Sequence, residues 1–150
     1  MARAIQLSIE NARSGRGGPF GTVVVQNNII IAEGVNRVTL DNDPTAHAEI
    51  LAIRQACQKL SRFQLSDCEL DTSCEPCPMC LGAIYWAHIS CVYYGNVAHD
   101  AARIGFDDSI IYQEIAQPLS ERRISMIHLM HEEALGAFRA WEEQPNKTPY

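Results

Sequence analysis

Thr45-Ala46-His47-Ala48-Glu49-Ile50, answered about 30 residues later by Cys74-Glu75-Pro76-Cys77-Pro78-Met79-Cys80, is the pair of stretches around which the chain is organised. His47, Cys77 and Cys80 are of the types that could supply three ligands to one zinc per chain, which would leave a fourth position for water. Zinc lowers the pKa of such a water toward about 7, so hydroxide is available at neutral pH. Glu49, two residues beyond the histidine, is then placed to move protons. Two other uses of these residues stand beside this one. Cys74 could close a four-ligand structural site, or a cysteine pair could do redox chemistry. Glu49 would be idle in both.

Composition bounds the partners. The 150 residues suffice for one domain with a sizeable core. No apolar run approaches the roughly 20 residues of a membrane span, and Met1-Ala2-Arg3 opens a helix-like pattern instead of a signal peptide. Six cysteines, three of them crowded together, fit a reducing compartment, and the cytoplasm is expected. The net charge is −6, and the longest basic cluster is Arg122-Arg123. A protein that grips a nucleic-acid backbone usually carries a basic patch, so a free base or nucleoside is the expected partner, with no nucleic acid and no membrane.

Working outward from the two stretches, Ala46 to Leu60 forms a helix with Ile50, Ile53, Cys57 and Leu60 on one face. Pro78 to Ala87 forms another, apolar almost all round and so expected to be deeply buried. Helix starts at both half-sites would aim two positive dipole ends at the sulfurs and favour thiolate. Before them, Arg3 to Ala12 places Ile5, Ile9 and Ala12 at helical spacing. Phe20 to Gln26 and Ile29 to Glu33 flank Asn27-Asn28 as a hairpin buried on both faces. Cys68 to Thr72 is the third strand, although Glu69 and Asp71 would share one face, where unpaired carboxylates cost several kcal/mol. Ile89 to Tyr94 is the fourth strand, His99 to Arg103 a short helix, Ile124 to Met130 the fifth strand and Ala134 to Trp141 a closing helix. The expected fold is a three-layer α/β/α sandwich with a five-stranded mixed sheet.

His-x-Glu followed by Pro-Cys-x-x-Cys is the signature of zinc nucleobase deaminases, and the whole chain resembles the cytidine-deaminase-like superfamily. Within it, Gly17-Gly18-Pro19-Phe20-Gly21, Asp43 to Glu49, Ser73 to Trp86 and Gly105-Phe106-Asp107-Asp108-Ser109 resemble the bacterial guanine deaminases. The His/Glu and Cys/Cys segments are shared with tRNA adenosine deaminases; the Gly-Phe-Asp-Asp segment is the more specific. The resemblance implies zinc-dependent conversion of guanine to xanthine and ammonia, with Glu49 as proton shuttle and Asp108 at the donor edge of the base. It implies that Asn36 hydrogen-bonds the ring, that Phe20, His47, Ala48 and Trp86 surround it, and that a homodimer exchanges C-terminal segments so that Tyr150 reaches the neighbour's pocket. Guanosine, another aminopurine and tRNA adenosine are the alternative substrates, and a non-catalytic zinc domain is the alternative class. Residue by residue, other uses remain open: Phe20 and Trp86 as core, Asn36 as a strand end, Asp107 and Asp108 as a turn or cap. His88, His99, His128 and His131 have no ligand spacing.

Overall fold

The computed structural model describes residues 1–149. The chain forms two compact units, Met1–Asp108 and the chain from Ser109 onward. The first contains α1 (Ala2–Ser14), β1 (Gly21–Gln26), β2 (Ile29–Val35), α2 (Val38–Asp41), α3 (Ala48–Leu60), β3 (Glu69–Cys74), α4 (Pro78–Trp86), β4 (Cys91–Asn96) and α5 (Ala98–Arg103). The second contains α6 (Ser109–Ala116), a 3₁₀ turn (Leu119–Glu121) and α7 (His131–Glu142).

The sheet has four strands, in the order β2-β1-β3-β4. β1 runs antiparallel to both β2 and β3, and β3 runs parallel to β4. The hairpin turn is Asn27-Asn28, each with positive φ, the backbone that the right-handed twist of a two-residue hairpin demands. Alternation along the strands sends Val24, Leu70 and Ala32 to one face, where they pack with Ala52, Ile53 and Ala56 of α3 and Ile84 of α4. α1 covers the opposite face: at Gly21 a Cβ would lie 2.6 Å from the Ala4 carbonyl and 2.7 Å from the Ser8 nitrogen, so helix and strand backbones touch.

That close approach corrects the face assigned to α1. Its buried residues are Ala4, Leu7, Ser8 and Asn11, while Ile5 and Ile9 are exposed. A helix pressed backbone to backbone on a strand needs small residues at the points of contact, here Ala4 and Ser8, and that rotation leaves Ile5 and Ile9 facing outward. The carboxylates of β3 escape the expected penalty as well. Glu69 is exposed, and Asp71 pairs with the Met1 ammonium.

Three further expectations change. The fifth strand is absent among the described residues: 124–130 make no ladder, and Ile127 is 84% exposed. Alternation supplies a face, but a strand also needs a neighbour's hydrogen bonds. The hairpin is buried on both faces only through β1; β2 lies at the sheet margin with Ile29 and Ile30 exposed. α4 buries Cys80 and Ile84 alone, leaving Leu81, Tyr85 and Trp86 exposed, because an all-apolar helix can serve a surface as well as a core. α2, α6 and the 3₁₀ turn were not anticipated from periodicity, being short.

Candidate metal centre and active site

Two helix starts converge. The Asp43 carboxylate accepts from the Thr45 nitrogen (2.8 Å) and hydroxyl (2.7 Å), and the Arg37 nitrogen donates to the Ala46 carbonyl at 2.9 Å. This turn holds His47 in extended backbone as the N-cap of α3, with Glu49 in the helix's first turn. Cys77 is likewise the extended N-cap of α4, Pro78 starts the helix with its φ already fixed, and Cys80 lies in the first turn.

The geometry suits zinc. His47 Nδ1 lies 3.5 Å from Cys77 Sγ and 3.5 Å from Cys80 Sγ, and all three donor atoms fall within 4.8 Å of one another. A tetrahedral zinc with ordinary Zn–N and Zn–S bonds separates its nitrogen and sulfur ligands by about 3.5 Å, the spacing found here. Cys74 stands apart. Its thiol donates to the Val97 carbonyl at 3.8 Å, and burial pushes its pKa up to about 11, so it remains a protonated thiol. The structure therefore gathers three donors, not four.

The charges follow from these contacts. Cys77 is held down to about 4 by the Cys80 thiol that bonds to it and by His47. Cys80 is pushed up by the bond to Cys77, so the pair keeps one proton that a divalent cation would expel. His47 is raised by its bond to Cys77. Glu49 is 6% exposed, and burial raises its pKa against the lowering pull of its bonds. Its Oε1 accepts from the Thr72 hydroxyl at 3.1 Å, and its Oε2 lies 3.4 Å from Cys80 Sγ.

The other expected residues surround this centre in different ways. Asp108 is half-buried, and its pKa is raised first by burial and then by the Cys77 charge. Asn36 is buried, and its Oδ1 accepts from the Gly18 nitrogen at 3.2 Å and the Val38 nitrogen at 3.4 Å. Phe20 meets Phe106 edge to face, with centroids 4.9 Å apart, so the Gly17–Phe20 and Gly105–Asp108 segments adjoin. Ala48 is fully buried beside His47. Trp86 ends α4 and is 67% exposed, which removes the core alternative for it. Tyr150 lies outside the described residues. Sequence reasoning missed Asn11, Thr22 and Thr72; hydroxyls beside a Val-rich strand, and an Asn on a buried helix face, were the available signals.

Comparison with known proteins gives the family. Residues 1–96 match the cytidine and deoxycytidylate deaminase zinc-binding region. The chain belongs to this deaminase family. It is 54% identical over 150 residues to guanine deaminase of Bacillus subtilis, covering all of this chain and 96% of that protein. The solved structure of the Bacillus subtilis guanine deaminase superposes with a TM-score of 0.96, covering 99% of this chain and 95% of that one. A guanine deaminase from Nitrosomonas europaea gives a TM-score of 0.68 at 37% identity, covering 71% of this chain and 62% of its own. The tRNA-specific adenosine deaminase of Agrobacterium fabrum is 42% identical over 94 residues, 61% of this chain and 62% of that one. The cluster of His47, Cys77 and Cys80 is the site that this family's zinc fits.

Proposed function

We propose that this chain is a zinc-dependent guanine deaminase, converting guanine and water to xanthine and ammonia. The observation that carries the reading is a buried Glu49 carboxylate touching a cluster of three metal donors, His47, Cys77 and Cys80. Full-length similarity to a guanine deaminase, and a similar structure solved with 2,6-diaminopurine, support a purine over a pyrimidine.

Held by His47, Cys77 and Cys80, zinc would supply a water acidic enough to give up a proton near neutral pH. Glu49, whose Oε2 lies on the Cys80 side of the cluster, is the group that would take a proton there and return it to the departing amino group. Asp108 would present a carboxylate acceptor to the N–H and amino donors along the edge of guanine. The Asn36 amide has its oxygen engaged by two backbone nitrogens, so its Nδ2 amino group is the end offered to ring acceptors. Phe20, Trp86, His47 and Ala48 are the residues assigned to the surroundings of the base.

The working molecule is a cytoplasmic homodimer that exchanges C-terminal segments. Exchange of an identical element is a low-cost route to a two-fold dimer. Exposed Phe138 and Trp141 on α7, and exposed Leu81, Tyr85 and Trp86 on α4, leave apolar surface for a second copy to cover. None of the six cysteines is joined in a disulfide. No helix among the described residues is long and apolar enough to cross a membrane.

Ammonia release from guanine, guanosine, adenosine and cytidine tests the reading: guanine should be turned over far faster than the other three. A preference for adenosine or cytidine, or no release from any of them by the zinc-loaded protein, would overturn it.

A further inference from the structure

Thr22 and Thr72 are side by side on the two central strands, both almost completely buried. Valine has the same shape and buries at no polar cost, and Val23, Val24 and Val25 follow Thr22 directly. A buried hydroxyl in such a place is costly unless its hydrogen bonds are made. Here they form a chain with one direction. Each threonine has a single proton to give, and Glu49 Oε1 is the acceptor at the end of the row. The Thr72 hydroxyl donates to Glu49 Oε1 at 3.1 Å, and the Thr22 hydroxyl donates to Thr72 Oγ1 at 2.9 Å.

The sheet brings Glu49 down onto this pair. Gly34 is the register partner of Thr22 on its other side, and a Cβ there would lie 2.1 Å from the Ala48 carbonyl. The first turn of α3 therefore rests directly on the strand row Gly34, Thr22, Thr72. Glu49, the next residue, reaches Thr72 with one oxygen and the cluster side with the other, Oε2 lying 3.4 Å from Cys80 Sγ.

We propose that Thr72, backed by Thr22, is a positioning residue that anchors Glu49 Oε1 and leaves Oε2 as the oxygen that carries protons. The proposal rests on the reading of Glu49 as proton shuttle. Held at one oxygen, the carboxylate has one productive orientation; released, it can rotate away from the water and the amino group. A hydrogen bond to a charged group corresponds to about 10-fold to 100-fold in rate when the lost contact orients the reacting group.

Zinc content, stability, KM and kcat with guanine are measured for T72V, T72S, T22V and T22V/T72V, with Glu49→Gln alone and combined with T72V. Expected are a fall in kcat of about 10-fold to 100-fold for T72V with KM and zinc unchanged, near-parent kcat for T72S, and a smaller fall for T22V. The double valine variant should lose less stability than T72V, which strands the Thr22 hydroxyl as well as Glu49 Oε1, yet show the same slow kcat. In the Glu49→Gln background T72V should cause no further loss. If T72V keeps the parent kcat, or slows Glu49→Gln by the same factor as it slows the parent, the positioning role is wrong while Glu49 keeps its own. If Glu49→Gln itself turns over guanine at the parent rate, the proton-shuttle reading fails first and the positioning role with it.

Discussion

Replacing Gly34 by alanine probes how the fold sets the reacting distances. The new Cβ would meet the Ala48 carbonyl oxygen at 2.1 Å and the Ala52 nitrogen at 2.8 Å, both backbone atoms of α3 that cannot swing aside. Relief to an ordinary contact needs a shift of about 1 Å in the start of α3, where His47 and Glu49 sit. Overpacking of this kind costs about 1–3 kcal/mol, and a misplacement of about 1 Å at reacting groups costs about 100-fold in rate. Thermal unfolding, zinc content and kcat with guanine, measured together, should show a Tm lowered by several degrees and kcat lowered by about two orders of magnitude. Parent kcat at a lowered Tm would refute the claim that the seating of α3 on β2 positions the chemistry.

Other outcomes follow from the same geometry. In metal-free protein Cys77, with its pKa near 4, is thiolate throughout the neutral range, so its alkylation by iodoacetamide should be flat from about pH 6 to 9 and blocked by zinc. Cys74, held near 11, should stay unreactive over that range, and Cys74→Ser should retain one zinc per chain by metal analysis. Asp108→Asn replaces an acceptor with a mixed group and should lower guanine turnover far more than zinc content, as paired rate and metal measurements would show. A chain lacking Pro149 and Tyr150, mixed with a Glu49→Ala chain that keeps its tail, should regain activity in proven heterodimers; none regained would show that tails are not exchanged.

The metal ligands were legible because their chemistry is local: few uses of His-x-Glu and Cys-x-x-Cys at helix starts need all four residues. The hairpin was legible from Asn27-Asn28, whose positive φ the structure bears out. What failed depended on partners distant in sequence. The seam under α1 is set by Gly21, so the small residues face inward and Ile5 and Ile9 do not. Residues 124–130 alternate like a strand but find no ladder among the described residues. Thr22 and Thr72 carry no motif of their own, and only the register of β1 on β3 brings them to Glu49.

The central claim is hydrolysis of guanine at the cluster of His47, Cys77 and Cys80 with Glu49 as shuttle. Guanine incubated with zinc-loaded protein in ¹⁸O-labelled water should give xanthine carrying one labelled oxygen at C2 and one ammonia per turnover. Stripping the zinc should abolish both, and restoring it should return them. Labelled xanthine formed at the same rate by the stripped protein, or no xanthine from the loaded one, would contradict the account.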